Sequence, residues 1–153
     1  MSKQEKLTIE IVNKKAEYRY FLDETFETGI MLFGSEIKSI RRGAANLNDA
    51  YCYFHAGELY VKSMYVAEYK FASNQNHETR RPRKLLLKKS ELRKLEKKVK
   101  ERGYSIIPYR LYIGERGLAK LEIALARGKK SYDKRESIKE KDQKRDMARK
   151  NLF

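Results

Sequence analysis

Few residues in this chain are able to do covalent or metal chemistry, and they are scattered. His55 and His77 are its only histidines, and two imidazoles cannot build the usual metal sites unaided. His55 falls in a predicted hairpin turn and His77 in a predicted loop; neither has candidate ligands beside it, so both are expected at the surface. Cys52 is the single cysteine, which excludes an internal disulfide and argues against a cysteine-based zinc site. Its place in a strand-like segment suits a small buried hydrophobe better than a nucleophile. Glu24 and Glu27 are neighbours in sequence, but adjacency does not make an acid/base dyad. The eight glycines sit singly at turn positions and form no phosphate-cradling loop. No catalytic residue, metal or cofactor is expected, and the chain reads as a non-enzyme.

The side chains suit a different chemistry, the binding of a polyanion. The 153 residues carry 36 Lys and Arg against 21 Asp and Glu, a formal charge of +15. Residues 80–102 hold twelve basic and three acidic groups, a net of +9; residues 127–153 hold eleven and five, a net of +6. Together these account for the whole excess, so two cationic segments stand on an electrically neutral body. Such partition is the footprint of a nucleic-acid partner rather than of solubility tuning. Eight of the eleven tyrosines (Tyr18, Tyr20, Tyr51, Tyr53, Tyr60, Tyr65, Tyr109, Tyr112) fall in strand-like segments. Rings there serve strand packing, or stack on bases beside cations.

The elements that must position these groups follow from periodicity. An apolar content of 41% supports one real core, no run approaches a membrane span, and no apolar stretch near the N-terminus resembles a signal peptide. A reducing, cytoplasmic setting is the default expectation. Residues 1–12 read as a loose N-terminal arm or an edge strand. Tyr18, Tyr20 and Leu22 alternate with charges as a half-buried strand does, and residues 29–34 read as a buried strand between glycines. Ser35 is placed as the cap of a short helix with Ile37 and Ile40 inward and Gly43 as its stop. Residues 50–54 and 58–66 suggest a hairpin around His55-Ala56-Gly57, and residues 70–83 an exposed loop. Ser90 opens the clearest helix, with Leu92, Leu95 and Val99 on one side and Gly103 as its end. Residues 104–113 and 118–126 pair as strands with Leu121, Ile123 and Leu125 facing in. The expected fold class is mainly β: an oligonucleotide-binding-type antiparallel β-barrel over residues 1–126 with short helices, an open α+β sheet being the competing architecture. Residues 127–153 lack an apolar stripe and are expected as a basic C-terminal tail, disordered when free and ordered on a charged surface.

Six ordered strings then resemble a known family. They are residues 13–16 (NKKA), 26–30 (FETGI), 34–41 (GSEIKSIR), 46–51 (NLNDAY), 83–87 (RKLLL), and 128–135 with its Gly128-Lys129-Lys130 and Asp133-Lys134-Arg135. In series, across about residues 13–149, they closely resemble SmpB, the SsrA-binding protein of bacterial trans-translation. The resemblance implies an oligonucleotide-binding barrel and a non-enzymatic RNA adaptor. It would bind transfer-messenger RNA, whose alanine-charged end comes with elongation factor Tu, and bring it to stalled ribosomes. The tail would become helical in the vacant mRNA channel near the decoding centre. Alanyl-tRNA synthetase is an indirect partner through the RNA, and a monomer is expected.

By this resemblance Asn13, Lys14, Glu27, Leu86 and Lys120 are the transfer-messenger RNA residues. Gly128, Lys129, Lys130, Asp133, Lys134 and Arg135 are the ribosome-directed ones. Glu27 would have to accept hydrogen bonds from base edges or hold a basic residue, since phosphate repels it. Leu86 is read either as core or as support for an unstacked base, and Lys120 as a phosphate contact. Lys129, Lys130, Lys134 and Arg135 would meet ribosomal RNA phosphate, and Asp133 would fix a turn or cap a tail helix. Thr28 stands where alanine is common in the family, Ser35 replaces a frequent threonine, and Pro82 comes later than usual. A structural ribosomal protein with a threading basic tail explains the charge equally well, but not the six strings.

Overall fold

The eleven-residue strand β2 (Tyr20–Ile30) organises the fold, because its alternate side chains face the interior while the odd-numbered ones face out. The computed structural model describes residues 7–71 and 76–128. Along the chain come β1 (Leu7–Val12), α1 (Ala16–Arg19), β2, α2 (Gly34–Arg41), β3 (Ala45–Asn46), β4 (Tyr51–His55), β5 (Glu58–Lys62), β6 (Tyr65–Val66), β7 (Arg83–Leu86), α3 (Lys89–Arg102), β8 (Ser105–Gly114) and β9 (Ala119–Gly128). The large sheet runs β1-β8-β4-β5-β7-β2-β9, and β9 pairs back onto β8. Six strands therefore close into an antiparallel ring, with β1 alongside the far half of β8. Closure leaves few free strand edges, which is how an oligonucleotide-binding barrel protects its ladder.

The barrel is filled by Leu59, Val61, Leu85, Leu111, Leu121, Ile123 and Leu125, all fully buried. The strand period puts these residues inside and Lys120 and Glu122 outside, as the sequence alternation requires. Between β7 and β8, α3 inserts Leu92 and Leu95 into the same core. It begins with the Glu91 carboxylate accepting the Lys88 N–H at 3.3 Å and ends where Gly103 N–H donates to Val99 at 3.1 Å. The hairpin β4–β5 turns on Ala56 and Gly57, both with positive φ (50° and 77°). That two-residue turn matches the strand twist and sets His55 opposite Glu58.

Several local expectations are corrected. Of the two readings of residues 1–12, the edge strand holds over Leu7–Val12, whose register Glu10↔Tyr112 and Ile11↔Leu111 on β8 satisfies its backbone, while residues 1–6 lie outside the described residues. Tyr18 lies in the short helix α1 and is highly exposed. The strand expected over residues 29–34 ends at Ile30; Met31 and Phe33 are exposed, because the chain turns there into α2. Ser35 does not cap α2: the N-cap is Phe33, whose N–H is taken by the Glu36 carboxylate at 2.8 Å. The long second arm of the hairpin stops at Lys62, and Tyr65–Val66 pairs instead with Ala45–Asn46.

The supposedly exposed loop before β7 is anchored at two points. His77 is buried, its Nε2 donating to the Val66 carbonyl at 2.9 Å and its Nδ1 receiving the Ser35 hydroxyl at 2.8 Å. A carbonyl only accepts, so this geometry sets the tautomer. Arg83 and Glu36 are both fully buried and paired with each other, while Arg81 Nη2 reaches the same carboxylate at 2.5 Å. Burial alone would raise the Glu36 carboxyl. Hydrogen bonds from Arg81, the Phe33 N–H and Arg83 outweigh it and hold the group below the usual carboxylate range. Arg83 also donates to Met64 O at 2.7 Å and Thr79 O at 3.3 Å, so one guanidinium ties three segments together.

Candidate nucleic-acid interface

Strand register assembles the interface. On the outer surface, Leu86 of β7 lies opposite Gly29 of β2, Gly29 opposite Lys120 of β9, and Lys120 opposite Tyr112 of β8. One step along, Glu27 lies opposite Glu122, and Glu122 opposite Arg110. Leu86, Glu27 and Lys120, far apart in sequence, thus occupy one patch across three adjacent strands, with Tyr112 and Arg110 of β8 beside them. Leu86 is half exposed whereas its neighbour Leu85 is fully buried, so the apolar triplet puts one leucine in the core and the next in solvent.

Gly29 shapes the patch by what it lacks. A Cβ built there would approach the Leu86 Cβ to 3.2 Å, and this shallow shelf between Leu86 and Lys120 exists because the position carries no side chain. Lys120 has no ion-pair partner among the described residues, which leaves its ammonium available to an incoming anion.

The carboxylates at the patch are restrained. Tyr112 donates its hydroxyl to Glu27 Oε2, across the intervening β9. Burial first, and then the bond to the Glu27 carboxylate, push the Tyr112 phenol well above its usual range, so it remains a donor. Arg110 binds Glu122 at 3.0 Å and Glu10 at 3.2 Å, and lies over the Tyr112 ring at 4.7 Å. Two acidic groups are thereby matched by one guanidinium, and Glu27 is aimed by a neutral donor. Its remaining acceptor capacity is what a base edge with N–H donors would use. Sequence reasoning missed Tyr112, Arg110 and Glu122 as members of this site. The alternation of Arg110 and Tyr112 in β8 against Lys120 and Glu122 in β9 was the available signal.

Other expected RNA residues lie differently. Asn13 is buried, and its amide donates to Pro108 O at 3.0 Å and Leu47 O at 3.3 Å, tying β1 to the barrel. Its side chain is a structural clamp rather than a presented contact; Lys14, beside it, is exposed. Gly128 ends β9 opposite Tyr20, and Arg127 pairs with Phe21, so both belong to the barrel ladder rather than to the tail. Lys129, Lys130, Asp133, Lys134 and Arg135 lie outside the described residues.

The +9 segment is partly spent on the fold. Glu36 holds Arg81 and Arg83; Glu24 holds Lys94 at 2.8 Å and Lys98 at 3.0 Å, and these two cations depress its carboxyl. Arg93 and Lys97, one turn apart on α3, remain exposed without ion-pair partners among the described residues. No group of three metal-ligating side chains occurs among the described residues, and no helix there is long and apolar enough to cross a membrane.

Comparison with known proteins gives the family and the fold. The family described as "SmpB protein" matches residues 10–152. The SsrA-binding protein of Bacteroides thetaiotaomicron is 57% identical over 142 residues, covering 93% of this chain and 95% of that one. That of Phocaeicola vulgatus is 59% identical over 141 residues, covering 92% and 94%; that of Geobacter metallireducens is 52% identical over 136, covering 89% and 88%. A solved chain from "tmRNA-SmpB: a journey to the center of the bacterial ribosome" superposes with a TM-score of 0.67 at 43% identity, covering 78% of this chain and 84% of that chain. A closed oligonucleotide-binding-type barrel and a match across nearly the whole sequence lead to one conclusion: this chain belongs to the SmpB family.

Proposed function

We propose that the protein is an RNA-binding adaptor that binds transfer-messenger RNA and delivers it to stalled ribosomes for trans-translation. The observation that carries this reading is the convergence of Glu27, Leu86 and Lys120 on one outer patch. That convergence comes with membership of a family whose curated relatives are SsrA-binding proteins. In this reading Lys120 meets a phosphate, Leu86 and the open surface of Gly29 support a base unstacked from its neighbours, and Glu27, held by Tyr112, accepts from that base's edge. Asn13 contributes indirectly, by fixing the turn that presents Lys14.

The cationic residues after Gly128 form the second half of the adaptor. Lys129, Lys130, Lys134 and Arg135 contact ribosomal RNA in the vacant mRNA channel near the decoding centre, and Asp133 orients them. Elongation factor Tu and alanyl-tRNA synthetase act through the RNA, and the adaptor works as a cytoplasmic monomer without chemistry of its own. The structural ribosomal protein considered from charge alone is not favoured, because the relatives are SsrA-binding proteins.

The test is a titration of the protein against transfer-messenger RNA and an elongator tRNA across salt. With about six phosphate contacts, log affinity falls against log salt with a slope near −5, and transfer-messenger RNA binds more tightly throughout. Equal affinity for both RNAs at every salt overturns the assignment.

A further inference from the structure

Where the last strand leaves the barrel, the wall beside it is open. β4 and β8 share a single register pair, Cys52↔Ile106, and residues of α3 and the turn at Tyr104 border the gap. The result is a cleft of about 540 Å³, within the size range that buries a small organic group. Tyr20, Tyr51, Tyr53, Val99, Tyr104 and Ile107 line it, so its walls are mostly ring and aliphatic surface. Its charged lining residues, Glu96 and Lys100, stand one helical turn apart and pair with each other at 2.8 Å. Neither charge is therefore free to select a polar ligand; the cleft suits an apolar one.

Register brings the chain's own continuation to this cleft. Gly128, the last residue of β9, lies opposite Tyr20, and Ala126 lies opposite Ser105. Tyr20 and Ser105 both line the cleft, and Arg127 sits over the Tyr104 ring at 5.8 Å. Residues 129–153, which lie outside the described residues, therefore start at its mouth. Of the six apolar residues among them, four stand in residues 147–153: Met147, Ala148, Leu152 and Phe153. The remainder is dominated by Lys, Arg, Asp and Glu, which give that apolar cluster nothing to pack against. Transfer of leucine and phenylalanine side chains from water into an apolar cleft is favourable. Return to the tether's own origin costs little. Closing a loop of about twenty residues carries a slowly growing entropy cost and keeps its far end near a millimolar effective concentration.

We infer that residues 147–153 dock in the cleft between β4, α3 and β8, Leu152 and Phe153 entering it, and so strap the basic segment back against the barrel. At a millimolar effective concentration, a contact of roughly 0.1 mM intrinsic affinity is closed about nine-tenths of the time. Such a strap opens readily when a competitor takes either the cleft or the tether. In the adaptor reading it gives the tail a restrained state away from the ribosome, which contact with ribosomal RNA has to release. Docking is a property of the free protein and fails or holds independently of that reading.

The sequence contains no tryptophan, so Phe153→Trp in the full chain installs a sole reporter. Its ring is shielded from acrylamide several-fold better than the same ring in a free peptide of residues 143–153, and dilution of the protein does not change the shielding. Leu152→Asp on that background lowers the docking equilibrium about tenfold or more, the burial of one leucine being lost, and quenching rises toward that of the peptide. Tyr51→Ala removes part of the cleft wall and also raises quenching. Leu118→Asp leaves it unchanged, because Leu118 is 61% exposed at the opposite end of the β8–β9 hairpin. Leu152 lies beyond the barrel, so its substitution separates undocking from unfolding; melting curves do the same for Tyr51→Ala. Four outcomes overturn the inference. They are peptide-like quenching in the full chain, shielding that ignores both Leu152→Asp and Tyr51→Ala, shielding that fades on dilution because a second copy is the occupant, and shielding lost in Leu118→Asp but kept in Tyr51→Ala.

Discussion

Tyr112 and Glu27 are joined by a hydrogen bond that reaches over an entire strand, from β8 to β2 above β9. The donor is a buried phenol and the acceptor an outward-facing carboxylate at the patch, so the bond determines where that carboxylate points. Tyr112→Phe removes the donor and keeps the ring. Transfer-messenger RNA affinity drops about five- to tenfold, while stability falls by about 1 kcal/mol, the usual net value of one hydrogen bond. In a double-mutant cycle with Glu27→Ala the two losses do not add, because they remove one arrangement. Additive losses in filter-binding titrations show that Tyr112 does not position Glu27.

The shelf at Gly29 makes a second prediction. Gly29→Ala brings a methyl to 3.2 Å from the Leu86 Cβ, so Leu86 shifts by a few tenths of an ångström and the open surface fills. RNA affinity falls about tenfold and the melting temperature only slightly. In the Gly29→Ala, Leu86→Gly double variant the close Cβ is gone and the crowding is relieved, but affinity does not recover, since a base has lost its apolar support. Recovery of affinity in the double variant counts against a base at this shelf.

The end of β9 sets the limit of a safe truncation. Removing everything after Gly128 leaves the melting temperature and binding of transfer-messenger RNA by the barrel largely intact while abolishing peptide tagging on stalled ribosomes. Cutting two residues earlier removes the pairs of Arg127 with Phe21 and Gly128 with Tyr20, along with the contact of Arg127 to Asp23 at 3.3 Å. That shorter chain melts earlier. Loss of RNA binding in the Gly128 truncation argues against a division into barrel and tail.

Buried charge makes a prediction about acid. Glu36 has its carboxyl held down by Arg81, Phe33 N–H and Arg83 against the opposing effect of burial. A group depressed in the folded state stabilises the protein above its unfolded value, near 4.5, and that contribution fades as pH falls through the lowered folded value. Glu36→Gln leaves the Arg83 guanidinium buried without its counter-charge and costs about 3–5 kcal/mol at neutral pH. In a domain of this size that is a drop of roughly 10–20 °C. Thermal melts from neutral to acid pH should show the gap between wild type and variant narrowing below about pH 4.5. A constant gap excludes the ion cluster as its origin.

Read on its own, the sequence determined what is local or periodic. Strand alternation placed Leu121, Ile123 and Leu125 inside and Lys120 outside; the run from Leu92 to Gly103 specified α3; net charge pointed to RNA; and six strings in order pointed to the family. Tertiary structure decided what depends on partners distant along the chain. His77 reads as a surface histidine until Ser35 and Val66 close over it. Arg83 counts as one more RNA-facing cation until Glu36 is found beside it in the core. Leu86 is ambiguous in its triplet until the register against Gly29 turns it outward. The physical reason is common to all three. A side chain's charge and polarity are written at its own position, but whether that group is solvated, paired or aimed at a ligand depends on strand register and burial, which only the closed barrel supplies.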